Sequence, residues 1–504
     1  MVVADVSADG RIAVVDRVKE MVRLGRRTFT TGALTRETTE LAARTVTTFS
    51  RLARARKVTR LRAVATSAVR EARNGAAFIR RLRRETGLPI DVISGLDEAR
   101  LIFRAVRHAM GLEGGPYLLV DVGGGSVELT LAEDGRAIWM RSVPLGVARL
   151  SERFFSADPP TRREVRQLER HLDRTIGDAL DRARQRGVVA AIGTSGTMNT
   201  LVAMALATRG EDAGRLHGVT VGADELREQR RRILGADAEA RAELPGMDAK
   251  RVDLMPAAAV LVDSILSRAG APELRVCSWA LREGVLLELA RVNGVGTSRA
   301  SVRRRSVAAL ARRYVGDNTH GRHVAHLAGQ LFDALAPTLG LPPSSRELLE
   351  YTAMLHDIGH AIDHSRHQRH SHYLIQNSEL LGFEPEEITI VALAARGHRK
   401  QVPKPSDPEL QALPSGKRKV VRGLAALLRV ADGLDRTRFG VVKGLDVTRA
   451  GGRLVIGVDA GAGNAELELW AAERRLDLLS RLLDRPIVLR AITTPRRAAV
   501  RRAS

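Results

Sequence analysis

One cysteine, Cys277, in 504 residues excludes an intrachain disulfide, so packing must hold the fold, as expected in a reducing compartment. Aromatic residues make up 3% of the chain, too few for a base-stacking platform, and DNA is not an expected partner. No uncharged run approaches the length of a membrane span, and Met1-Val2-Val3-Ala4-Asp5-Val6 has no basic stretch leading into an apolar core. The expected location is therefore the cytoplasm, with no membrane partner. What is present in quantity is positive charge, a net +23, which favours polyanions by long-range attraction and counterion release. Arginines spread over solvated helix faces would give the same number, and charge alone leaves both readings open.

The most informative segment runs from Tyr117. An apolar strand, Tyr117-Leu118-Leu119-Val120, leads into Asp121-Val122-Gly123-Gly124-Gly125-Ser126-Val127-Glu128 and a second apolar stretch. Three glycines in a row let backbone N–H groups converge on an oxyanion, and Asp121 and Glu128 place carboxylates beside them for a hydrated divalent cation. No lysine followed by serine or threonine is present, so this is no P-loop, and no helix-opening dinucleotide fingerprint fits. A glycine-rich hairpin is the plain alternative.

With 44% hydrophobic residues, the chain has material for three or four domains. Residues 1–101 alternate β-like segments (11–15, 61–65, 90–93) with amphipathic helical patterns (35–54, 76–85), as in a first α/β lobe. Residues 102–292 restart with strands at 117–120, 127–131, 137–143 and 188–192. A linker is expected at 293–306, including the basic run Arg303-Arg304-Arg305. A helical domain follows at 307–436, then a small α/β extension at 437–495, with 465–468 β-like, and a basic tail at 496–504.

Together with Gly193-Thr194-Ser195-Gly196-Thr197 and Ala65-Thr66-Ser67-Ala68-Val69-Arg70-Glu71-Ala72, the triple-glycine loop makes the chain resemble the exopolyphosphatase and guanosine pentaphosphate phosphohydrolase (Ppx/GppA) family. The resemblance extends to about Val295 and includes Ile93-Ser94-Gly95-Leu96-Asp97-Glu98-Ala99-Arg100 and Ala280-Leu281-Arg282-Glu283-Gly284. It continues more weakly through Arg369-His370-Ser371-His372-Tyr373 and Gly397-His398-Arg399-Lys400.

The resemblance implies an α/β fold with a two-lobed core of the actin, Hsp70 and sugar-kinase (ribonuclease H-like) type, followed by a mostly helical HD-like domain. It implies that Glu98 is the general base for water attacking a terminal phosphorus and that Arg70 donates to a phosphate oxygen. From the residues alone, Asp97 and Glu98 read equally as acids in a helix first turn, and Arg70 as a helix ion-pair partner. By the same match, Gly123, Gly124, Gly125 and Ser126 hold terminal phosphates, with Ser195, Gly196 and Thr197 facing them. Asp121 and Glu128 would orient Mg²⁺, or Mn²⁺ in its place. The implied substrate is inorganic polyphosphate, with pppGpp as the alternative, and the implied assembly is a homodimer. Family members begin with a strand and an Asp-x-Gly-Ser-Asn-Ser loop, whereas this chain opens at what reads as the next strand. The expectation is a start assigned too far downstream, and a non-hydrolytic phosphate or alarmone sensor is the competing reading.

Ten of the thirteen histidines fall between His320 and His398. His320, His356-Asp357 and Asp432 stand in the order of the HD-domain metal phosphohydrolases, which this region resembles, and neutral imidazoles with hard carboxylates suit Mn²⁺, Fe²⁺, Zn²⁺ or Mg²⁺. His370 and His398 are candidates for a second metal or for direct polyphosphate contact. A relic module that uses its histidines only as polar groups is the alternative, and His323, His326, His364, His367 and His372 are expected at the surface or core edge.

Overall fold

The computed structural model describes residues 1–6, 12–25, 27–291, 298–399, 404–450 and 452–492. Arg11 of the segment expected at 11–15, the linker residues 293–297, Lys400 and the tail 496–504 lie outside them. The chain divides into two compact units, Met1–Val302 and Arg303–Ser504.

Within the first unit, β1 (Val2–Val6) pairs antiparallel with β2 (Ile12–Arg17), and β3 (Ala63–Ala65) pairs parallel with β4 (Ile90–Val92). The helices Arg36–Ala55 and Gly75–Thr86 bring Ala42, Ala43, Phe78, Ile79 and Leu82 into one core with Leu34 and Ile90. Thr35 starts the first of these helices, its Oγ1 accepting from Thr38 N at 3.3 Å.

The largest sheet of this unit has six strands in the order β7-β6-β5-β8-β10-β9. Its strands are β5 (Tyr117–Val122), β6 (Val127–Glu133), β7 (Arg136–Val143), β8 (Ala190–Thr194), β9 (Thr220–Gly222) and β10 (Glu273–Val276). β5 runs antiparallel to β6 and parallel to β8, so it is central. Its Leu118, Leu119 and Val120 are buried for that reason. The Met255–Ala269 helix, apolar nearly all round, is buried over most of its length against this sheet's helices.

One close approach positions the chemistry. A Cβ on Gly284 would lie 2.1 Å from Leu101 O, so only glycine lets the Leu281–Leu289 helix pack against the Gly95–Met110 helix, whose first turn carries Glu98. Buried Glu283 accepts from Ala280 N at 2.9 Å and lies 3.3 Å from Arg17. The Ala280–Gly284 motif thus supports the helix that presents Glu98.

The second unit is helical from Arg299–Val315, which begins before it, to Ser415–Gly433. It ends in a three-stranded sheet, β11 (Gly444–Ala450), β12 (Arg453–Asp459) and β13 (Ile487–Ile492), in that order. Arg303, expected in a solvated linker, is buried in that first helix; it lies 2.9 Å from Glu347 and also pairs with Glu387. Residues 465–468, expected as β-like, begin the helix Glu466–Glu473 instead. Glu468, Ala471 and Ala472 share its inward face at helical spacing, and Glu468 accepts from Thr437 Oγ1 at 2.6 Å. Among the described residues, no helix is long and apolar enough to cross a membrane.

Candidate functional site

Sheet register alone brings four polar residues into one row. Asp121 on β5 is opposite Glu128 on β6 and Thr194 on β8, and Glu128 is opposite Ser142 on β7. Thr194 Oγ1 donates to Asp121 Oδ1, and Ser142 Oγ donates to Glu128 Oε1 at 2.7 Å. Glu128 is buried and its Oε2 has no hydrogen-bond partner. Burial first, then the Glu98 and Asp121 carboxylates, pushes its pKa up to about 8. Burial likewise raises Asp121, against the hydrogen bond from Thr194.

Glu98 completes this acidic group. Ser94 caps its helix, accepting from Asp97 N at 3.1 Å, while Asp97 turns outward to Arg100 at 2.7 Å. Of the two adjacent acids, Glu98 is the buried one, 7% exposed, and among the described residues its Oε2 likewise has no hydrogen-bond partner. Arg70 Nη1 lies 3.6 Å from Glu98 Oε2 and donates to Ile93 O at 2.8 Å. Burial, then Asp121, raises Glu98 to about 7, with Arg70 opposing. Three carboxylates with two orphaned, desolvated oxygens form a donor set that a hard divalent cation fits.

The glycine loop is a tight turn, with Gly123 N donating to Ser126 O at 3.0 Å. A Cβ on Gly125 would fall 2.2 Å from Phe29 Cζ and 2.6 Å from Ser67 Oγ. Gly124 O accepts from Ala148 N at 3.0 Å, and Gly125 O from Arg149 Nε at 3.0 Å. Arg149, which stacks over Phe29 at 4.2 Å, was not foreseen from sequence. Ser195, Gly196 and Thr197 open the Ser195–Thr208 helix directly after β8, and Ser195 adopts a positive φ of 94° there. The helix N-terminus offers free N–H groups for an anion. Arg251, also not foreseen, packs against Gly196, whose added Cβ would meet its guanidinium at 2.1 Å. Lys19 is shifted down by partial burial and by nearby Arg251 and Arg282, so cations crowd together in this unit.

The Ppx/GppA phosphatase family model matches residues 2–292, more than half of the chain, and the model for domain III of the same family matches residues 302–451. The chain belongs to the Ppx/GppA phosphatase family. It is 28% identical over 480 residues to a guanosine-5'-triphosphate,3'-diphosphate pyrophosphatase of Vibrio vulnificus, covering 93% of each chain. A crystal structure of an exopolyphosphatase from Cytophaga hutchinsonii is similar at 27% identity and a TM-score of 0.55, over 59% of this chain and 95% of that one. The Aquifex aeolicus member of the family is similar at 28% identity and a TM-score of 0.50, over 58% of this chain and 94% of the other. This Ppx/GppA protein is accordingly a hydrolase with an actin-like α/β core and a helical C-terminal region. Ppx/GppA phosphatases depend on divalent metals and act on polyphosphate or pppGpp.

In the region matched by Ppx/GppA domain III, five histidines and two aspartates converge. His320 Nε2 lies 3.4 Å from Asp432 Oδ1, and His356 Nε2 lies 3.6 Å from the same atom. Asp357 Oδ1 lies 3.5 Å from His356, 3.5 Å from His360, 3.2 Å from His367 and 3.7 Å from His398. Burial alone would raise Asp357, but the surrounding histidines, His356 foremost, hold it far below the usual carboxylate range. The outer oxygens of Asp357 and Asp432 pair with Arg438 and Arg475.

His367, expected at the surface or core edge, is fully buried because the turn from Ile358–Ala361 folds the following helix back under Gly359. His370, half-buried on that same helix, makes none of these contacts, while His398 does. A run of histidines without apolar periodicity gave no signal of which ones turn inward.

Proposed function

We propose that the first unit hydrolyses the terminal phosphoanhydride of inorganic polyphosphate. The observation that carries the reading is the buried Glu98 carboxylate, ion-paired with Arg70 at 3.6 Å, its Oε2 without a hydrogen bond among the described residues, and raised to about 7, where a general base works best near neutral pH. Glu98 takes the proton of the attacking water. Arg70 keeps that carboxylate ionisable and offers its remaining N–H groups to phosphate, while the backbone of Gly123, Gly124, Gly125 and Ser126 and the helix start at Ser195, Gly196 and Thr197 grip the terminal phosphates. Asp121 and Glu128 would hold Mg²⁺, with Mn²⁺ as a substitute, which when bound neutralises phosphate oxygens and the charge gathering on the leaving group. The crowding of Lys19 with Arg251 and Arg282 supports a substrate with many phosphates.

A second reading, pppGpp hydrolysis, has support in the Vibrio relative, a guanosine-5'-triphosphate,3'-diphosphate pyrophosphatase matched over 93% of each chain. The two readings share their chemistry and differ in substrate. Phosphate release by the full chain from long polyphosphate and from pppGpp decides between them, because ready turnover of pppGpp with scarce release from polyphosphate would overturn the first.

For the second unit, the reading is an HD-like metal site made by His320, His356, Asp357 and Asp432. Among the described residues, the buried Nε2 atoms of His320 and His356 make no hydrogen bond, and each lies beside Asp432 Oδ1, at 3.4 Å and 3.6 Å. His320 Nδ1 meets Asp435 at 2.7 Å and His356 Nδ1 meets Ala353 O at 2.6 Å, so both Nε2 lone pairs are left for a cation. A homodimer is part of the same proposal, tested by sedimentation equilibrium.

A further inference from the structure

We propose that Arg149 is a positioning residue of the first unit: it fixes the last peptide of the glycine loop and ties that peptide to the helix Ser67–Glu71, which carries Arg70. This rests on the reading above, in which the loop and Arg70 hold the same terminal phosphate, and it names the side chain that keeps the two in register.

The direction of the loop is set by its carbonyls. Gly123 O accepts from Val147 N at 3.0 Å, Gly124 O from Ala148 N at 3.0 Å and Gly125 O from Arg149 Nε at 3.0 Å, so all three are turned toward the first turn of the helix Val147–Phe154. In a planar trans peptide the N–H points opposite to the C=O, and none of these peptides is cis. The N–H groups of Gly124, Gly125 and Ser126 are thereby aimed away from that helix, side by side, as an oxyanion cradle requires. Backbone groups hold the first two carbonyls, beyond the reach of any side-chain change. The third, and with it the direction of the Ser126 N–H, is held by one side chain.

That side chain is anchored on three sides. Besides Gly125 O, the Arg149 guanidinium donates from Nη2 to Glu71 Oε2 at 2.5 Å and stacks over Phe29 at 4.2 Å, with the side chain 19% exposed. Glu71 follows Arg70 directly and ends the helix Ser67–Glu71, whose Ser67 already packs against Gly125. Phe29 is held in its turn from the same helix face as Arg149. Glu152, three residues further on, accepts from Arg27 N at 2.7 Å and from Thr30 Oγ1, on either side of Phe29. A guanidinium suits this task better than an ammonium, because it is planar, donates in fixed directions to two acceptors and stacks on a ring. The charge of Arg149 is neutralised by Glu71, so its contribution is geometric. Asp121 and Arg70 are the charges that shift Glu98, and removing Arg149 should leave the ionisation of the base in place.

The test compares the full chain with Arg149→Met, Arg149→Lys, Glu71→Gln and the Arg149→Met, Glu71→Gln double variant. Phosphate release from polyphosphate and its pH profile are measured beside equilibrium binding of orthovanadate, a mimic of five-coordinate phosphorus, and the urea midpoint. Arg149→Met should lower kcat about 10²-fold with KM little changed and the acid limb in place, because a displaced donor costs more at the reacting phosphate than along a long substrate. Orthovanadate should bind about tenfold or more weakly to that variant. Glu71→Gln should lose less, and the double variant should fall no further than Arg149→Met, since both changes act through one contact. Arg149→Lys, which can reach Gly125 O or Glu71 but not both, should recover part of the rate. Unchanged kcat in Arg149→Met, additive losses, or a rate that falls only in step with the urea midpoint would overturn the positioning role. If Arg149→Met does not fold, unaltered kcat and orthovanadate affinity in Glu71→Gln would overturn it instead. An unaltered protein that releases no phosphate, yet binds orthovanadate more tightly than Arg149→Met does, would overturn the hydrolytic reading and leave Arg149 in its role. Neither release nor orthovanadate binding would overturn both.

Discussion

Arg70→Met isolates the role of charge beside the proposed base. Arg70 Nη1 and Glu98 Oε2 are 3.6 Å apart, with Glu98 largely buried. At that separation the Coulomb attraction is about 1 kcal/mol in a water-like medium and about 5 kcal/mol at an effective dielectric of 20. Divided by about 1.4 kcal/mol per pKa unit, the loss of the guanidinium raises Glu98 by about one to three units. Glu98 is at about 7 with Arg70 in place, so the variant's base ionises at a clearly more alkaline pH. The assay is kcat/KM for phosphate release across the pH range at saturating Mg²⁺, for Arg70, Arg70→Lys and Arg70→Met proteins. The base acts when ionised, so activity rises with pH. Its acid limb should move alkaline in Arg70→Met and largely hold its place in Arg70→Lys. Substrate ionisation is common to all three and cancels in the comparison. An acid limb that stays put while KM rises would show that Arg70 only holds substrate, and the electrostatic argument would be wrong.

Glu98→Gln should lose about 10²-fold or more of hydrolysis while retaining polyphosphate in an equilibrium binding assay; unchanged turnover would remove Glu98 from its role. Stability of metal-free protein should fall with pH: Glu98 and Glu128 ionise at about 7 and 8 when folded but near 4.5 when unfolded, so the folded form binds the extra protons. That contribution is full below about 4.5 and is lost as pH rises to 7–8, about 3 kcal/mol for Glu98 taken alone, so urea midpoints in EDTA should drop between pH 5 and 8 and Mg²⁺ should restore more at the higher pH. Gly284→Ala places a methyl 2.1 Å from Leu101 O and should cost about 1–3 kcal/mol in chemical denaturation, with kcat falling as the Glu98 helix moves. Lys19→Ala should raise KM for long polyphosphate more than for pppGpp, and equal effects would detach Lys19 from the chain's path.

Local pattern was enough where the determining interactions are local. The apolar runs at Tyr117 and Val127 are β5 and β6, and the helical periodicity after Thr35 gives Arg36–Ala55 within a residue at each end. It was not enough for β9 and β10, three and four residues long, which pair only with strands distant in sequence. Residues 465–468 alternate like a strand, yet the segment is helical and brings Ala472 against Gly433. At the site, Asp121, Glu128 and Glu98 carry recognisable sequence surroundings. Thr194, Arg149 and Arg251 do not, because each matters through a partner 24 to 73 positions away or through a helix packed beside it. His367 was misread for the same reason, since its burial depends on how one turn folds back.

The row Ser142–Glu128–Asp121–Thr194 comes from four adjacent strands, each held to the next by backbone hydrogen bonds. No hinge or loop can loosen this ligand row gradually; it exists whole or it vanishes with the sheet. If the proposed cation binds Asp121 and Glu128, its affinity becomes a reporter of cooperative melting, and a mutation that weakens the core under this sheet should leave the affinity intact until the unfolding transition itself. It also sets a rule for change by substitution, because slipping any one strand by a single residue would turn its polar member to the opposite face.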